Sequence, residues 1–188
     1  MVRELLLGPK RFTDLRAGLP GVSADVLADR LRGLEQAGLV QRDTLPPPAA
    51  SRIYELTERG RELEPVLVEL GRFGRVAPMP QGRAVFGPDA FAVALKSLFD
   101  REAAAGLWDV FELRIGGRSF AAEVADGRLD LAHGRPQDPD AMIEGEPESL
   151  ADVLWHDRKL EAAVRSGAVS IGGDSDAARR FFGLFPEK

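Results

Sequence analysis

Apolar side chains return at helical spacing through GVSADVLADRLRGLEQAGLV, residues 21–40. Leu27, Leu31 and Leu34 fall within about 60° of one another at 100° per residue, a stripe for burial. Ser23 is a suitable N-cap and Gly38 a suitable stop, so the spacing predicts a helix from 23 to about 37. Upstream, VRELLL (2–7) reads as the last turns of a helix halted by Gly8-Pro9, and FTDLRAGL (12–19) as a short helix closed by Pro20-Gly21. Downstream, strand-like segments 39–45 and 51–56 flank a stiff tip, Pro46-Pro47-Pro48-Ala49-Ala50. A further helix starts at the Thr57 cap with Leu63, Val66, Leu67 and Leu70 on one face, and Pro65 is expected to bend or restart it.

Helix, short helix, tight turn, helix, hairpin, helix is the order of a winged helix-turn-helix. In that unit the N-terminal part of the third helix enters the major groove. Its outer face carries Asp25, Ala28, Asp29, Arg32 and Gln36, with Ala24 at the flank and Ser23 at the cap. Small and polar groups there permit close approach to a partner. Arg32 suits guanine or phosphate, and Asp25 or Asp29 a cytosine amino group. A solvated face of a helical bundle accounts for the same residues. The hairpin weighs for DNA, with Arg42 and Arg52 on its arms and a proline tip shaped to reach phosphates or a minor groove. Lys10, Arg11 and Thr13 open the second helix, where phosphate contacts and a helix N-terminus add.

Periodicity lapses at GRFGRVAPMPQG (71–82), where Pro78 and Pro80 sit among glycines. The expected division is a domain over 1–75, a linker over 76–85 and a second domain over 86–188. In the second, 86–106 places Phe91, Leu95, Leu98 and Phe99 in helical register. WDVFELRIG and RSFAAEVADG flank the Gly116-Gly117 turn as a hairpin, with Phe111, Leu113 and Ile115 alternating against Val110, Glu112 and Arg114. RLDLAHG, DAMIEG and AVSIGGD are short strands; ESLADVL, RKLEAAVRSG and DAARRFFGLF are helices, the last starting at or near Asp174. The fold class is α+β: a winged helix-turn-helix with a truncated first helix, then a mostly antiparallel sheet covered by helices.

Charge and composition narrow the function. The net charge is −5, yet residues 1–75 hold 12 Lys and Arg against 11 Asp and Glu, so a nucleic-acid surface must be a local patch on the first half. Cysteine is absent, which excludes disulfides, thiolate metal sites and a cysteine nucleophile. No apolar run approaches the roughly 18 residues of a membrane span. The protein is expected to be soluble and cytoplasmic, without membrane association. There is no nucleophile elbow, phosphate-cradling loop or dinucleotide fingerprint. His133 and His156 read as separate surface residues, and Asp138, Asp140, Glu144 and Glu146 as solvated carboxylates lacking the order of a calcium loop. No enzyme, cofactor or metal is expected.

Residues 3–63 resemble the HxlR-type winged-helix transcriptional regulators, through RELLLGPKRFTDL, LADRLRGLEQAGLV and RIYELTERG. The resemblance implies a homodimeric regulator of double-stranded DNA, with recognition helix 23–37 and wing 40–56. It also implies residues upstream of Met1 that complete the first helix, whose addition should raise operator affinity. Residues 86–188 resemble the sterol-carrier-type lipid-binding domains, through DPDAMIEGEPESLADVL, LEAAVRSGAVSIGGD and ARRFFGLF. This implies an apolar cavity for a fatty or sterol-like molecule. The expected wall is Phe91, Leu95, Phe99, Trp108, Phe111, Leu113, Phe120, Trp155, Phe181, Phe182 and Phe185, all of which also serve as plain core. Two functions follow: a transcriptional regulator answering to a hydrophobic effector, or a lipid carrier whose winged helix serves dimerisation or protein contact.

Overall fold

The computed structural model describes residues 1–44, 51–75, 87–156 and 158–185. The proline tip of the hairpin and the linker expected over 76–85 lie outside them. The chain divides into two compact units, Met1–Val76 and Ala77–Lys188. Among the described residues no helix is long and apolar enough to cross a membrane.

The first unit runs α1 (Val2–Leu5), β1 (Lys10–Arg11), α2 (Phe12–Gly18), α3 (Ala24–Gln36), β2 (Val40–Thr44), β3 (Arg52–Leu56), α4 (Glu58–Arg61) and α5 (Glu64–Arg75). The Ser23 hydroxyl accepts from the Val26 N–H at 3.3 Å, and Gly38 follows α3 at φ +69, so both ends of the helix are set where the sequence predicts. Leu27 and Leu31 are fully buried among Leu5, Leu15, Val40 and Leu56, with Leu34 partly buried against them. Antiparallel β2 and β3 form the wing, in register from Val40 opposite Leu56 to Thr44 opposite Arg52. Pro65 marks a restart: α4 ends at Arg61 and α5 begins at Glu64. That helix runs on through Gly71 and Gly74, which the sequence reading assigned to linker chemistry.

Two close contacts hold this unit. Gly60 packs so tightly beneath the wing that a Cβ there would lie 2.0 Å from the Leu39 carbonyl oxygen. Only glycine fits. Lys10 and Arg11 form a short strand against β3 instead of starting helix two, and this turns Lys10 inward. Its ammonium lies 3.1 Å from the Glu4 carboxylate, with both side chains buried.

The second unit runs α6 (Pro88–Leu98), β4 (Trp108–Ile115), β5 (Arg118–Ala125), β6 (Arg128–His133), β7 (Ala141–Gly145), α7 (Pro147–Trp155), α8 (Leu160–Arg165), β8 (Val169–Gly173) and α9 (Ser175–Gly183). Its sheet has the order β6-β5-β4-β7-β8. All neighbours are antiparallel except β4 and β7, which pair in parallel, so the sheet is mixed. The segment between β6 and β7 crosses the sheet to make that pair. Phe111, Leu113 and Ile115 are buried, as is Phe120 on β5. The Asp174 carboxylate caps α9 by accepting from the Asp176 N–H at 2.8 Å.

Replacing Lys10 with methionine removes the buried cation beside Glu4 and leaves the carboxylate only the exposed Arg3, 3.2 Å away. The expected loss of stability is about 3–5 kcal/mol by urea unfolding. A loss under about 1 kcal/mol would show that the pair is not desolvated.

Candidate nucleic-acid interface and apolar cavity

The inner face of α3 is spent on Leu27 and Leu31, so its other side is left to solvent. Asp25, Asp29, Arg32 and Gln36 are exposed, and Ala24 and Ala28 half-buried beside them. Arg32 is paired with Asp29 one turn back, at 3.2 Å. Thr13 and Arg11 are exposed at the start of α2, where the Arg11 backbone N–H donates to the Asp14 carboxylate at 3.4 Å. Val26, Arg30 and Gly33 are also exposed on α3, beyond the expected outer face.

The wing is tied to the helix. Arg42 Nε donates to Glu35 Oε1 at 2.5 Å, and its guanidinium lies over the Tyr54 ring, 5.4 Å from the centroid. The hydrogen bond to Glu35, then the charge of Tyr54, hold the Arg42 pKa above its ordinary value. Arg42 therefore aligns the wing and α3, and a phosphate would compete with Glu35 for it. Arg52, on the other arm, is exposed. Lys10 is the correction in this set. Its side chain is 5% exposed and neutralises Glu4, which leaves it unable to reach a phosphate.

In the second unit, two sets of aromatic contacts fill space between helices and sheet. Phe111 lies 4.8 Å from Phe181, Phe181 lies 5.1 Å from Phe185, and Phe91 lies 4.9 Å from Trp155, centroid to centroid. Phe99 meets Phe185 at 6.0 Å. Among the described residues, one void of about 10 Å³ is lined by Phe91, Leu95, Leu113, Ile115, Ile143, Leu150, Leu154, Phe181 and Phe182. It has room for about one water. Five of the expected wall residues line it: Phe91, Leu95, Leu113, Phe181 and Phe182. Ile115, Ile143, Leu150 and Leu154 were not foreseen as wall. Leu113 faces Ile143 in the parallel register, and Leu150 and Leu154 are one helical turn apart on α7.

Phe99, Phe111, Phe120 and Phe185 are core residues away from the void, and Trp155 backs Phe91. Trp108 does not belong to the wall. It is 73% exposed, because it shares the parity of Val110 and Glu112 on β4 and so points away from the Phe111 face.

Polar groups cluster on both faces of this sheet. Glu112 is buried, accepts from Arg114 at 2.9 and 3.1 Å and from Ser119 at 3.2 Å, and lies 3.1 Å from Arg135. Its pKa is held below the ordinary value, chiefly by the Arg114 hydrogen bonds. Arg135 belongs to the segment that crosses from β6 to β7, which explains how a carboxylate on the outer face comes to be covered. In the same segment Asp140 is exposed, as expected, and its carboxylate also accepts from the Val110 N–H at 2.7 Å, which ties the segment to β4. His133 is exposed, as expected, yet its Nε2 lies 2.7 Å from the buried Asp89 carboxylate and its ring packs on Phe120 at 5.0 Å. Arg118 meets the same carboxylate at 2.6 Å.

Residues 1–81 match the family described as HxlR-like helix-turn-helix, and residues 93–186 match the SCP-2 sterol transfer family. An uncharacterized HTH-type transcriptional regulator of Bacillus subtilis, YvaP, is 40% identical over 39% of this chain and 68% of its own length. The HTH-type transcriptional regulator YodB of the same organism is 40% identical over 37% of this chain and 62% of its own. The chain thus spans about two thirds of the length of these curated relatives. The stereoselective inverting sec-alkylsulfatase Pisa1 of a Pseudomonas species aligns over 100% of this chain and 33% of its own, at 14% identity and TM-score 0.50. At that identity the likeness is one of fold.

Phe182 is half-buried at the void, so Phe182→Ala should open it. The expected cost is about 3 kcal/mol in urea unfolding, partly recovered by added benzene if the cavity stays dry and apolar. An unchanged midpoint with benzene would mean that the neighbours collapse into the space.

Proposed function

Because the chain belongs to the HxlR-like helix-turn-helix family through its first unit and to the SCP-2 sterol transfer family through its second, we propose that it is a DNA-binding transcriptional regulator whose second unit takes a hydrophobic effector. The observation that carries the reading is the outer face of α3, free of core packing and flanked by a wing that Arg42 and Glu35 hold beside it. In this reading the N-terminal turns of α3 lie in the major groove, while Arg11, Thr13 and Arg52 meet phosphates. Arg32, freed from Asp29 or shared with it, takes guanine or phosphate.

The regulator acts as a homodimer. On α5, Val66, Leu70 and Phe73 recur at helical spacing and are 60%, 60% and 73% exposed, an apolar stripe that a second copy would cover. The effector enters the second unit by displacing side chains such as Phe182, since the void is too small for any fatty or sterol-like molecule without rearrangement. Regulation then requires the effector to bind the DNA-competent and DNA-incompetent dimers differently.

Two measurements test this reading. Duplexes selected from a random library should bind the purified full chain with an affinity that falls steeply with salt. Arg52→Ala should lower the slope of log K against log salt by about 0.9, the release of one phosphate contact. Binding with no salt dependence would overturn the interface. Leu70→Glu should convert the dimer to monomer in native mass spectrometry, and the same spectra of the wild-type protein should show any apolar molecule retained through purification. A wild-type protein that is strictly monomeric would overturn the dimer.

A further inference from the structure

The geometry points to Val26 as the residue that reads a thymine methyl group, making the first turn of α3 the base-selective part of the interface. This inference rests on the DNA-binding reading above. Among the described residues ahead of α5, Val26 is the one large apolar side chain left exposed, at 50%. The core takes up Leu27 next to it and Val22 before it, but not Val26. A β-branched side chain at a solvated helix position gives up rotamer freedom and gains no packing there.

The local structure presents that side chain rigidly. The Val26 N–H is held by the Ser23 cap at 3.3 Å, which fixes the turn. The branched Cβ leaves one strongly preferred χ1 in a helix, so the apolar knob is oriented before any partner arrives. It therefore loses little entropy on contact.

Its neighbours decide which chemistry it meets. Asp25 and Asp29 are exposed on the first two turns, and the first cation of α3 is Arg30. Asp25 repels phosphates and Asp29 is already paired with Arg32, so this end of the helix is better suited to base edges than to lying along the backbone. There the carboxylates accept from amino groups. On the major-groove edge of a base pair, the C5 methyl of thymine is the apolar feature. A valine flanked on one side by carboxylates thus matches a thymine next to bases that donate amino hydrogens.

The experiment replaces each thymine of a selected duplex, one at a time, with uracil, which lacks only that methyl. Affinity for the full chain is measured at fixed salt with wild type and Val26→Ala, whose folding is verified by circular dichroism. At one thymine, uracil should weaken wild-type binding about fourfold, the effect of exposing one methyl group. In Val26→Ala the penalty at that position should fall below about twofold, with the other positions unchanged. If the duplex binds but Val26→Ala suppresses no uracil penalty, the assignment of Val26 is overturned while the DNA-binding reading stands. Recovery of no duplex at all overturns that reading, and Val26 with it.

Discussion

The burial of Leu27 and Leu31 decides the orientation of everything in the first unit. Both side chains are fully enclosed by Leu5, Leu15, Val40 and Leu56, residues from α1, α2 and the two wing strands. Full burial of a leucine is worth about 1.5–3 kcal/mol. Rolling α3 about its axis would expose both. One face is therefore pinned, and the charged face has nowhere to go but solvent. The wing follows, because Val40 and Leu56 share that core and Gly60 lets the next turn close against Leu39. The Arg42–Glu35 pair adds direction more than stability, as exposed ion pairs are worth little.

Polar pairing defines the limits of both cores. Glu4 and Lys10 neutralise each other inside the first unit, and Glu112 is surrounded by Arg114, Ser119 and Arg135 on the outer face of the second. Buried charges persist only where partners replace water. The same physics removes Lys10 from the nucleic-acid surface: a cation used to neutralise a buried carboxylate is lost to any external anion.

In the second unit the helices cover one face of the sheet, and aromatic rings fill the layer between. Among the described residues, the void against Phe91, Phe181 and Phe182 has space for about one water. That layer has the composition of a lipid site and the density of a core. The two descriptions are compatible when a ligand replaces side chains such as Phe182 that sit at the margin of the packing.

Much of this was legible in the chain. The caps at Ser23, Thr57 and Asp174, the restart at Pro65 and the Gly116-Gly117 hairpin are local devices, each set by residues within a few positions of one another. Alternation along β4 separated Phe111 from Glu112, and it also placed Trp108 on the outer face, a signal that the aromatic character of the residue overrode. What sequence could not supply was non-local. Lys10 reads as an open cation until β1 pairs with β3 and turns it toward Glu4. Nothing near Asp89 announces His133, 44 positions away in the chain yet 2.7 Å away in space.

By itself, then, the sequence determined the elements, their ends and which face of each is apolar, because periodicity and capping act over one or two turns. Only the tertiary structure decided that β7 joins β4 in parallel, that Arg135 of the crossing segment reaches Glu112, and that Phe111, Phe181 and Phe185 pack ring against ring. Those outcomes depend on which distant segments compete for the same buried surface, and that competition is settled by packing in three dimensions.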